Sequence, residues 1–144
     1  MLPTQNHPRY RYAVALHTID ENNPPYEPAT IARLAEITPD EFFAVDMRVG
    51  RVIEVAEFPE ARKPSWKVTV DFGPVVGVLT TSAQITNYTV EQLLDRQVIG
   101  ALNLGTRRIA GFSSEFLILG ALRADGTVNL LQPSEVAEPG APIG

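Results

Sequence analysis

Cysteine is absent from this chain and histidine occurs only twice, at His7 and His17, which excludes several kinds of chemistry. Without cysteine there is no disulfide, no thiol nucleophile and no thiolate metal site, a composition that fits a reducing compartment. The two histidines lack the His-x-x-x-His spacing of a helical zinc site. The chain also has no P-loop, no G-x-S-x-G motif and no G-x-G-x-x-G fingerprint. We therefore expect a protein without metal or cofactor that is not an enzyme.

Long hydrophobic runs and an excess of positive charge are also lacking. No apolar run approaches the roughly 20 residues of a membrane-spanning helix, and "MLPTQNHPRYRY" lacks the layout of a signal peptide. We therefore expect a cytoplasmic protein without membrane insertion. The net charge of −5 over 144 residues argues against a broad electrostatic surface for nucleic acid. Any nucleic-acid site has to be a local patch.

Composition separates an N-terminal extension, residues 1–37, from a domain at residues 38–144. In the extension, the alternating run "YRYAVALHTI" predicts an extra edge strand, with a basic and aromatic RNA arm as the alternative. The stretch "DENNPPYEPA" predicts a loop, and "TIARLAE" predicts a helix of about two turns. The domain is expected to begin with a short helix, because Thr38 and Glu41 have the spacing of a capping box.

Strand-like alternation dominates the domain. Five main strands are predicted, with the sequences "MRVGRVIEVAEF", "WKVTVDF", "VVGVLT", "QVIGALN" and "EFLILGAL". Between the third and fourth, "TVEQLLDRQ" predicts a short helix capped by Thr89 and Gln92, and "RADGTVNLL" predicts an Asp-Gly turn with a last short strand. Gly50 is expected to mark a bulge or bend. This order predicts an all-β five-stranded OB-fold barrel, with a small open β-sandwich as the alternative.

Four longer sequence words make the domain resemble a known family. The words "VDMRVGRVIEVAEFPEARKPSWKVTVDFG", "TSAQIT", "NLGTRRIAGFSSEFLILG" and "LLQP" have the order and spacing of the CsaA family, within the tRNA-binding-domain OB-fold superfamily. The resemblance covers nearly all of residues 42–144. It implies a five-stranded OB barrel, a homodimer, no cofactor, and binding in place of catalysis, with tRNA and unfolded or export-bound peptides as candidate partners. A protein-interaction scaffold with weak or no RNA binding is the alternative.

Two positions depart from the family pattern. CsaA-like chains usually have a lysine or another basic residue just before the "SAQIT" word, where this chain has Leu79 followed by threonines. Many also have lysine between the phenylalanine and the Ser-Glu of "GFSSE", where this chain has Ser113. Both differences remove positive charge from the face that would meet phosphate, and lost phosphate contacts weaken binding and lower its salt sensitivity.

The stretch "NLGTRRIAGFSSE" contains the main RNA-binding candidates, Arg107 and Arg108. Neighbouring residues of an extended segment point to opposite faces, so only one of the two easily serves a single surface. That arginine is expected to contact phosphate or to stack on a base. In the alternative, the arginines pair with Glu115 or another acid in a structural network.

Polar side chains near these arginines are further RNA-binding candidates. Ser82 and Gln84 belong to the "SAQIT" word, which the resemblance places at the binding and dimer face, and Asn103 and Ser114 flank the arginines. Hydroxyl and amide groups also cap turns and loops, so a structural role is the alternative for each of them.

The stretch "FPEARKPSW" interleaves basic and aromatic residues, a composition that single-stranded nucleic acid favours. Arg62 and Lys63 are predicted to be its exposed pair and join the RNA-binding candidates. Trp66 is on the apolar face of its strand and is predicted to lie in the core or in a dimer interface. Phe58 and Phe112 are candidates for a peptide pocket or dimer interface, with buried packing as the alternative.

Overall fold

The structure is a computed structural model and describes residues 27–144 of the chain. The edge strand predicted from "YRYAVALHTI" lies outside the described residues. The helix predicted for "TIARLAE" is wrong, because residues 31–38 have no regular secondary structure and are exposed throughout. Before them the chain makes a turn, in which the Thr30 amide donates to the Glu27 carbonyl (2.9 Å). A helix of two turns without a packed face is too short to persist.

The first helix, α1 (Pro39–Phe43), begins with the predicted capping box. The Glu41 amide donates to Thr38 Oγ1 (3.1 Å), and the Thr38 amide donates to Glu41 Oε1 (3.2 Å). None of the residues of α1 is buried. The rings of Phe42 and Phe43 contact each other edge to face, with 5.2 Å between their centroids. This helix therefore leaves an apolar surface exposed.

An antiparallel five-stranded sheet forms the body of the domain and confirms the predicted all-β barrel. Its strands are β1 (Met47–Glu57), β2 (Trp66–Asp71), β3 (Val78–Ala83), β4 (Gln97–Ala101) and β7 (Leu117–Ile118). They pair in the order β3-β2-β1-β4-β7, with every neighbouring pair antiparallel. Alternation is clearest in β2, where Val68 and Val70 are buried and their neighbours are half-buried.

Two short helices, α2 (Gly73–Val76) and α3 (Val90–Leu93), flank β3 along the chain. The predicted helix between the third and fourth strands is confirmed as α3. The third strand begins later than predicted, because the residues before it form α2 instead. Gly73 and Gly77 have φ angles of 90° and 82°, in the left-handed region that glycine adopts readily. Gly73 is the first residue of α2 and Gly77 follows its last, so the two glycines bound a single helical turn.

Two hairpins follow β4, formed by β5 (Arg107–Ile109) with β6 (Phe112–Ser114) and by β8 (Gly120–Leu122) with β9 (Val128–Leu130). The predicted fifth strand is therefore divided between β7 and β8, and the β5–β6 hairpin is an addition to the predicted order. The Asp-Gly turn between β8 and β9 is confirmed. The hydroxyl and amide of Thr127 donate to Asp125 Oδ1 (2.6 and 2.9 Å), which holds the pKa of Asp125 below its usual value.

The core is built on the predicted apolar face of β2. Val68, Val70 and Phe72 are at most 1% exposed. Phe72 packs edge to face on Phe116, with 4.9 Å between the ring centroids. Gly50 makes this packing possible, since a Cβ there would lie 2.7 Å from the Phe72 ring. The bulge expected at Gly50 occurs further along β1 instead.

Hydrogen bonds close the sheet into a barrel where β3 meets residues 113–116, a contact that we call the barrel seam. The hydroxyl of Thr81, which is 2% exposed, donates to the Phe116 carbonyl (2.6 Å) and contacts Ser114 Oγ (2.9 Å). The Ser82 amide also donates to Ser114 Oγ (3.2 Å). The seam therefore fixes the end of β6 against β3.

Thr81→Val tests the barrel seam. The variant keeps the shape of the side chain but leaves the Phe116 carbonyl without its hydroxyl donor, so we expect the free energy of unfolding to fall by about 1–3 kcal/mol. Thr69→Val is the matched control, because the half-buried Thr69 side chain makes no hydrogen bond within residues 27–144. Its change should stay within about 0.5 kcal/mol. Urea unfolding measures both, and equal losses would contradict the role of the seam.

Candidate nucleic-acid interface

Arg107 and Arg108 lie on the β5–β6 hairpin, which stands beside the main sheet. Its turn, Ala110–Gly111, has both residues in the left-handed region, with φ angles of 47° and 80°, as a type I′ turn requires. The register pairs Arg107 with Ser114 and Arg108 with Ser113. Cross-strand partners share a face and neighbours alternate, so the two arginines lie on opposite faces of the hairpin.

Both arginines are exposed, but their contacts differ. Arg108 Nη1 donates to Ser113 Oγ (2.9 Å). Arg107 has no hydrogen-bond or ion-pair partner within residues 27–144. The Arg107 guanidinium is therefore available to an anionic ligand, with which it can make charge-assisted hydrogen bonds.

Glu115 pairs with neither arginine, so the predicted alternative of a pairing with Glu115 is wrong, and within residues 27–144 no other acid pairs with them. Glu115 Oε2 accepts hydrogen bonds from the amide and the hydroxyl of Thr80 (2.8 and 3.2 Å), and the Glu115 amide donates to the Thr80 carbonyl (2.8 Å). The physical reason is that Thr80 lies on β3, an edge strand of the sheet, whose backbone groups need partners. Glu115 supplies them at the barrel seam.

A groove with a volume of about 880 Å³ lies beside the hairpin, and four predicted RNA-binding residues line it. They are Ser82, Gln84, Arg107 and Ser114. The barrel seam holds Ser82 against Ser114, and the hairpin register holds Arg107 beside Ser114. Thr81 also lines the groove, which thus combines one guanidinium, one amide side chain and three hydroxyl groups.

The remaining lining of the groove is mostly apolar. It includes Ile85, Leu104, Ile109, Leu117, Leu122 and Leu131. Leu104 is 51% exposed and Leu131 is 44% exposed, so the groove leaves large apolar side chains in contact with solvent. Leu104 and Ile109 are not predicted as part of a site from the sequence, because isolated apolar residues around a turn give no periodic signal.

Phe58 and Phe112 form a contact at the tip of the hairpin, outside the groove lining. Their rings meet edge to face, 5.5 Å between centroids. Lys67 Nζ lies 4.9 Å from the Phe58 centroid and 5.2 Å from that of Phe112, within the range of cation–π attraction. Phe58 is 5% exposed, which confirms buried packing for that residue. The cluster attaches the hairpin tip to β2.

Asn103 and Trp66 have structural contacts away from the groove. Asn103 Oδ1 accepts from the Asp46 amide (2.8 Å), and its Nδ2 donates to the Ala44 carbonyl (2.7 Å). The loop-capping alternative therefore describes Asn103. The Trp66 ring donates to the Tyr88 carbonyl (3.1 Å) and packs against the core, which confirms the core prediction for that residue.

Four other positions are placed apart from the groove lining. Arg62 is exposed and Lys63 is half-buried in the loop between β1 and β2, so they are not an equally exposed pair. Leu79, where the family usually has a basic residue, packs half-buried against the core. The Ser113 carbonyl accepts a hydrogen bond from the Thr80 hydroxyl (2.9 Å). The side chains at both departures from the family pattern thus have contacts, since Ser113 Oγ also accepts a hydrogen bond from Arg108 Nη1 (2.9 Å).

Within residues 27–144, His, Asp and Glu side chains form no group of three or more that could hold a metal ion. In the same part of the chain, no helix is both long enough and apolar enough to cross a membrane. The polar groups that the groove offers are hydrogen-bond donors, acceptors and a guanidinium, which suit contacts to phosphate, sugar and base edges.

Comparison with known proteins relates this chain to a family and to solved structures. Residues 47–142 match a family model described as "Putative tRNA binding domain". The CsaA chaperone protein from Picrophilus torridus is 41% identical, with a TM-score of 0.72, and the match covers 76% of this chain and 100% of that one. Chaperone CsaA from Bacillus anthracis is 39% identical, with the same TM-score and the same coverage of both chains.

Two methionine–tRNA ligases are similar over part of their length. That of Porphyromonas gingivalis is 32% identical over 108 residues, which is 75% of this chain and 16% of the ligase. Methionine–tRNA ligase 1 of Sorangium cellulosum is 37% identical over 105 residues, which is 73% of this chain and 15% of the ligase. The chain therefore spans a small part of these ligases, whereas it matches the CsaA structures over their whole length. Since the family model also covers most of the barrel, the chain belongs to the tRNA-binding-domain family, with the CsaA chaperones among its relatives.

Proposed function

We propose that this chain is a non-enzymatic protein that binds tRNA through the groove side of the β5–β6 hairpin. The observation that carries the proposal is Arg107, an exposed guanidinium that has no acidic partner within residues 27–144 and lies beside Ser82 and Gln84. Membership of the tRNA-binding-domain family supports it. A planar guanidinium donates paired hydrogen bonds to a phosphate or stacks on a base, and RNA offers both.

The hairpin geometry favours Arg107 over Arg108 as the principal contact. Arg107 lines the groove together with Ser114, its register partner. Arg108 is on the opposite face, where its guanidinium donates to Ser113. A ligand that lies along the groove therefore meets Arg107 first, and Arg108 only if it wraps over the edge of the hairpin.

Charge limits this interaction to a local and moderately salt-dependent contact. The chain carries a net charge of −5, so a polyanion is repelled by the molecule as a whole and attracted at the arginines. Each phosphate contact contributes about −0.9 to the slope of log K against log salt. A patch of one or two arginines therefore gives a shallow dependence of log K on log salt.

A tRNA partner also implies a cytoplasmic location for the protein.

Binding of unfolded or export-bound peptides is the second candidate function. It rests on the apolar floor of the groove, where Leu104 and Leu131 remain 51% and 44% exposed. A groove of about 880 Å³ with apolar walls and a few polar groups is the usual form of a site for apolar side chains. The similarity to CsaA chaperones supports this function as well.

The protein is further proposed to form a homodimer, supported by apolar side chains that a monomer leaves exposed. On α1, Phe42 and Phe43 are 46% and 59% exposed, and on β1, Ile53 is 49% exposed. Light scattering at micromolar concentration should give twice the chain mass of 15.8 kDa. The variant Phe42→Ser with Phe43→Ser should shift this mass toward the monomer. A monomeric wild-type protein would contradict the dimer.

Two single variants separate the two candidate functions. Arg107→Ala should weaken tRNA binding by about 1–3 kcal/mol and flatten the salt slope by about one unit. It should leave the melting temperature unchanged, because Arg107 has no partner within residues 27–144. Leu104→Gln removes apolar surface without changing charge, so it should weaken binding of an unfolded polypeptide and leave tRNA binding unchanged. Fluorescence anisotropy with labelled tRNA and labelled unfolded protein measures all four combinations.

Arg123→Ala is the matched control for this experiment. Arg123 is exposed and lies outside the groove lining, so the variant removes the same charge elsewhere on the surface. The tRNA proposal predicts a larger loss for Arg107→Ala than for Arg123→Ala and Arg108→Ala. If Arg107→Ala and Arg123→Ala have equal effects, RNA does not bind at the groove. If tRNA binds neither the wild-type protein nor any variant, while Leu104→Gln lowers polypeptide binding, peptide binding replaces tRNA binding as the function of the groove.

A further inference from the structure

Lys67 is a second cation at the groove whose charge no acid compensates within residues 27–144. The residue is half-buried on β2, where the sheet register pairs it with Ser82, which lines the groove from β3. Directly opposed residues of neighbouring strands share a face of the sheet. In the same part of the chain, the ammonium group of Lys67 has no hydrogen-bond or ion-pair partner. A positive charge therefore lies at the margin of the groove.

Aromatic rings hold this charge without cancelling it. Lys67 Nζ lies 4.9 Å from the Phe58 centroid and 5.2 Å from the Phe112 centroid. A ring attracts a cation through its quadrupole and carries no net charge. By contrast, Arg48 Nε contacts Asp46 Oδ1 at 2.6 Å, so an acid of the fold compensates the charge of that arginine. The charge of Lys67 remains available to an anionic ligand.

The same rings order the Lys67 side chain before any ligand binds. Phe58 is buried, and Phe112 is half-buried at the tip of the β5–β6 hairpin. A lysine side chain held between two rings has fewer rotamers than a free surface lysine. Ordering that precedes binding is not lost again on binding, so it favours affinity. Lys67 is therefore a preorganised cationic contact.

Four polar side chains, Lys67, Ser82, Ser114 and Arg107, form a row that we call the anion row. Ser82 is opposite Lys67 in the sheet, and Ser114 is opposite Arg107 in the hairpin. The Ser82 amide donates to Ser114 Oγ (3.2 Å), which joins the two pairs. Phe112 shares the face of Ser114, two residues along β6, and contacts Lys67. The row thus crosses β2, β3, β6 and β5, with a cation at each end.

The length of the anion row indicates the kind of ligand. Its ends are separated by three inter-strand spacings, roughly 15 Å between the Cα atoms, and the long side chains of Lys67 and Arg107 shorten the gap between the charges. A single phosphate contacts one end of the row, whereas a chain of phosphates contacts both. The hydroxyl groups of Ser82 and Ser114 between the ends suit phosphate or sugar oxygens.

We propose that Lys67 and Arg107 together bind a chain of phosphates, in which Lys67 makes a second phosphate contact beside that of Arg107. The inference rests on the proposed function in one respect, because the chain of phosphates is there one strand of tRNA. Lys67 lies outside the groove lining, so this strand continues from the groove across β3 to the tip of the hairpin. Two phosphate contacts give this face a salt slope of about −1.8.

Charge removal tests the second contact with labelled tRNA. Lys67→Met keeps most of the side-chain length, so it should weaken binding about fivefold to tenfold at 0.1 M salt and flatten the salt slope by about one unit. Lys67→Met with Arg107→Ala should flatten the slope by about two units. Arg123→Met is the control, because it removes an exposed charge outside the groove. Equal effects of Lys67→Met and Arg123→Met would overturn the proposal.

Two further variants separate a phosphate contact from a role in positioning the hairpin. Phe112→Leu removes one ring and keeps the charge of Lys67, so the salt slope should stay as in the wild-type protein even if affinity falls. Lys67→Arg should also keep the slope. If Lys67 only positions Arg107, Phe112→Leu flattens the slope as much as Lys67→Met, and the double variant is no flatter than either single one. That result would overturn the proposal.

Tripolyphosphate and orthophosphate test the anion row without RNA, followed by the amide shifts of residues 67, 82, 107 and 114. Tripolyphosphate should bind the wild-type protein at least tenfold more tightly than orthophosphate. Lys67→Met and Arg107→Ala should each remove most of this preference, and Arg123→Met should leave it. Preserved preference in Lys67→Met would overturn the proposal.

The two experiments distinguish failure of this proposal from failure of the proposed function. If Arg107→Ala weakens tRNA binding and Lys67→Met does not, the tRNA function stands and the second contact is overturned. If tRNA does not bind while both variants lose the preference for tripolyphosphate, the tRNA function is rejected and the pairing of the two cations is supported.

Discussion

The hydrogen bonds of the barrel seam are the constraint on which the candidate site depends. Thr80 and Thr81 of β3 bond to Glu115 and Phe116 through both backbone and side-chain groups. Among residues 27–144, β3 is an edge strand of the sheet, and this contact supplies partners for its outer side. Because β6 ends in the seam, the seam also fixes where the β5–β6 hairpin stands and brings Arg107 to the groove beside Ser82.

The seam also explains why the arginines remain available. A carboxylate eight residues along the chain from Arg107 is a plausible neutralising partner on sequence grounds alone. Glu115 is instead engaged by the amide and hydroxyl of Thr80. Leaving an edge-strand amide without its acceptor lowers the stability of the fold, whereas an exposed ion pair adds little to that stability. The carboxylate therefore serves the fold, and the guanidinium of Arg107 has no partner within residues 27–144.

Sequence periodicity predicts the barrel better than it predicts the site. The alternation from Val68 to Phe72 identifies a core face because burial acts on every second residue of a strand. The β5–β6 hairpin has strands too short for such a pattern, and the groove floor combines Leu104 with distant residues such as Leu131. Those neighbours are set by how the hairpins pack on the sheet. Asn103 illustrates the same limit, since its two loop contacts join segments that are distant in sequence.

The central claim is that tRNA meets the groove side of the hairpin. The most direct measurement is a titration of ¹⁵N-labelled protein with tRNA, followed by amide chemical shifts and line broadening. The first and largest changes should occur at residues 82–84, 105, 107, 109 and 114, which line the groove. Changes confined to α2 or to the loop with Arg62 and Lys63, with these groove amides unaffected at saturation, would contradict it.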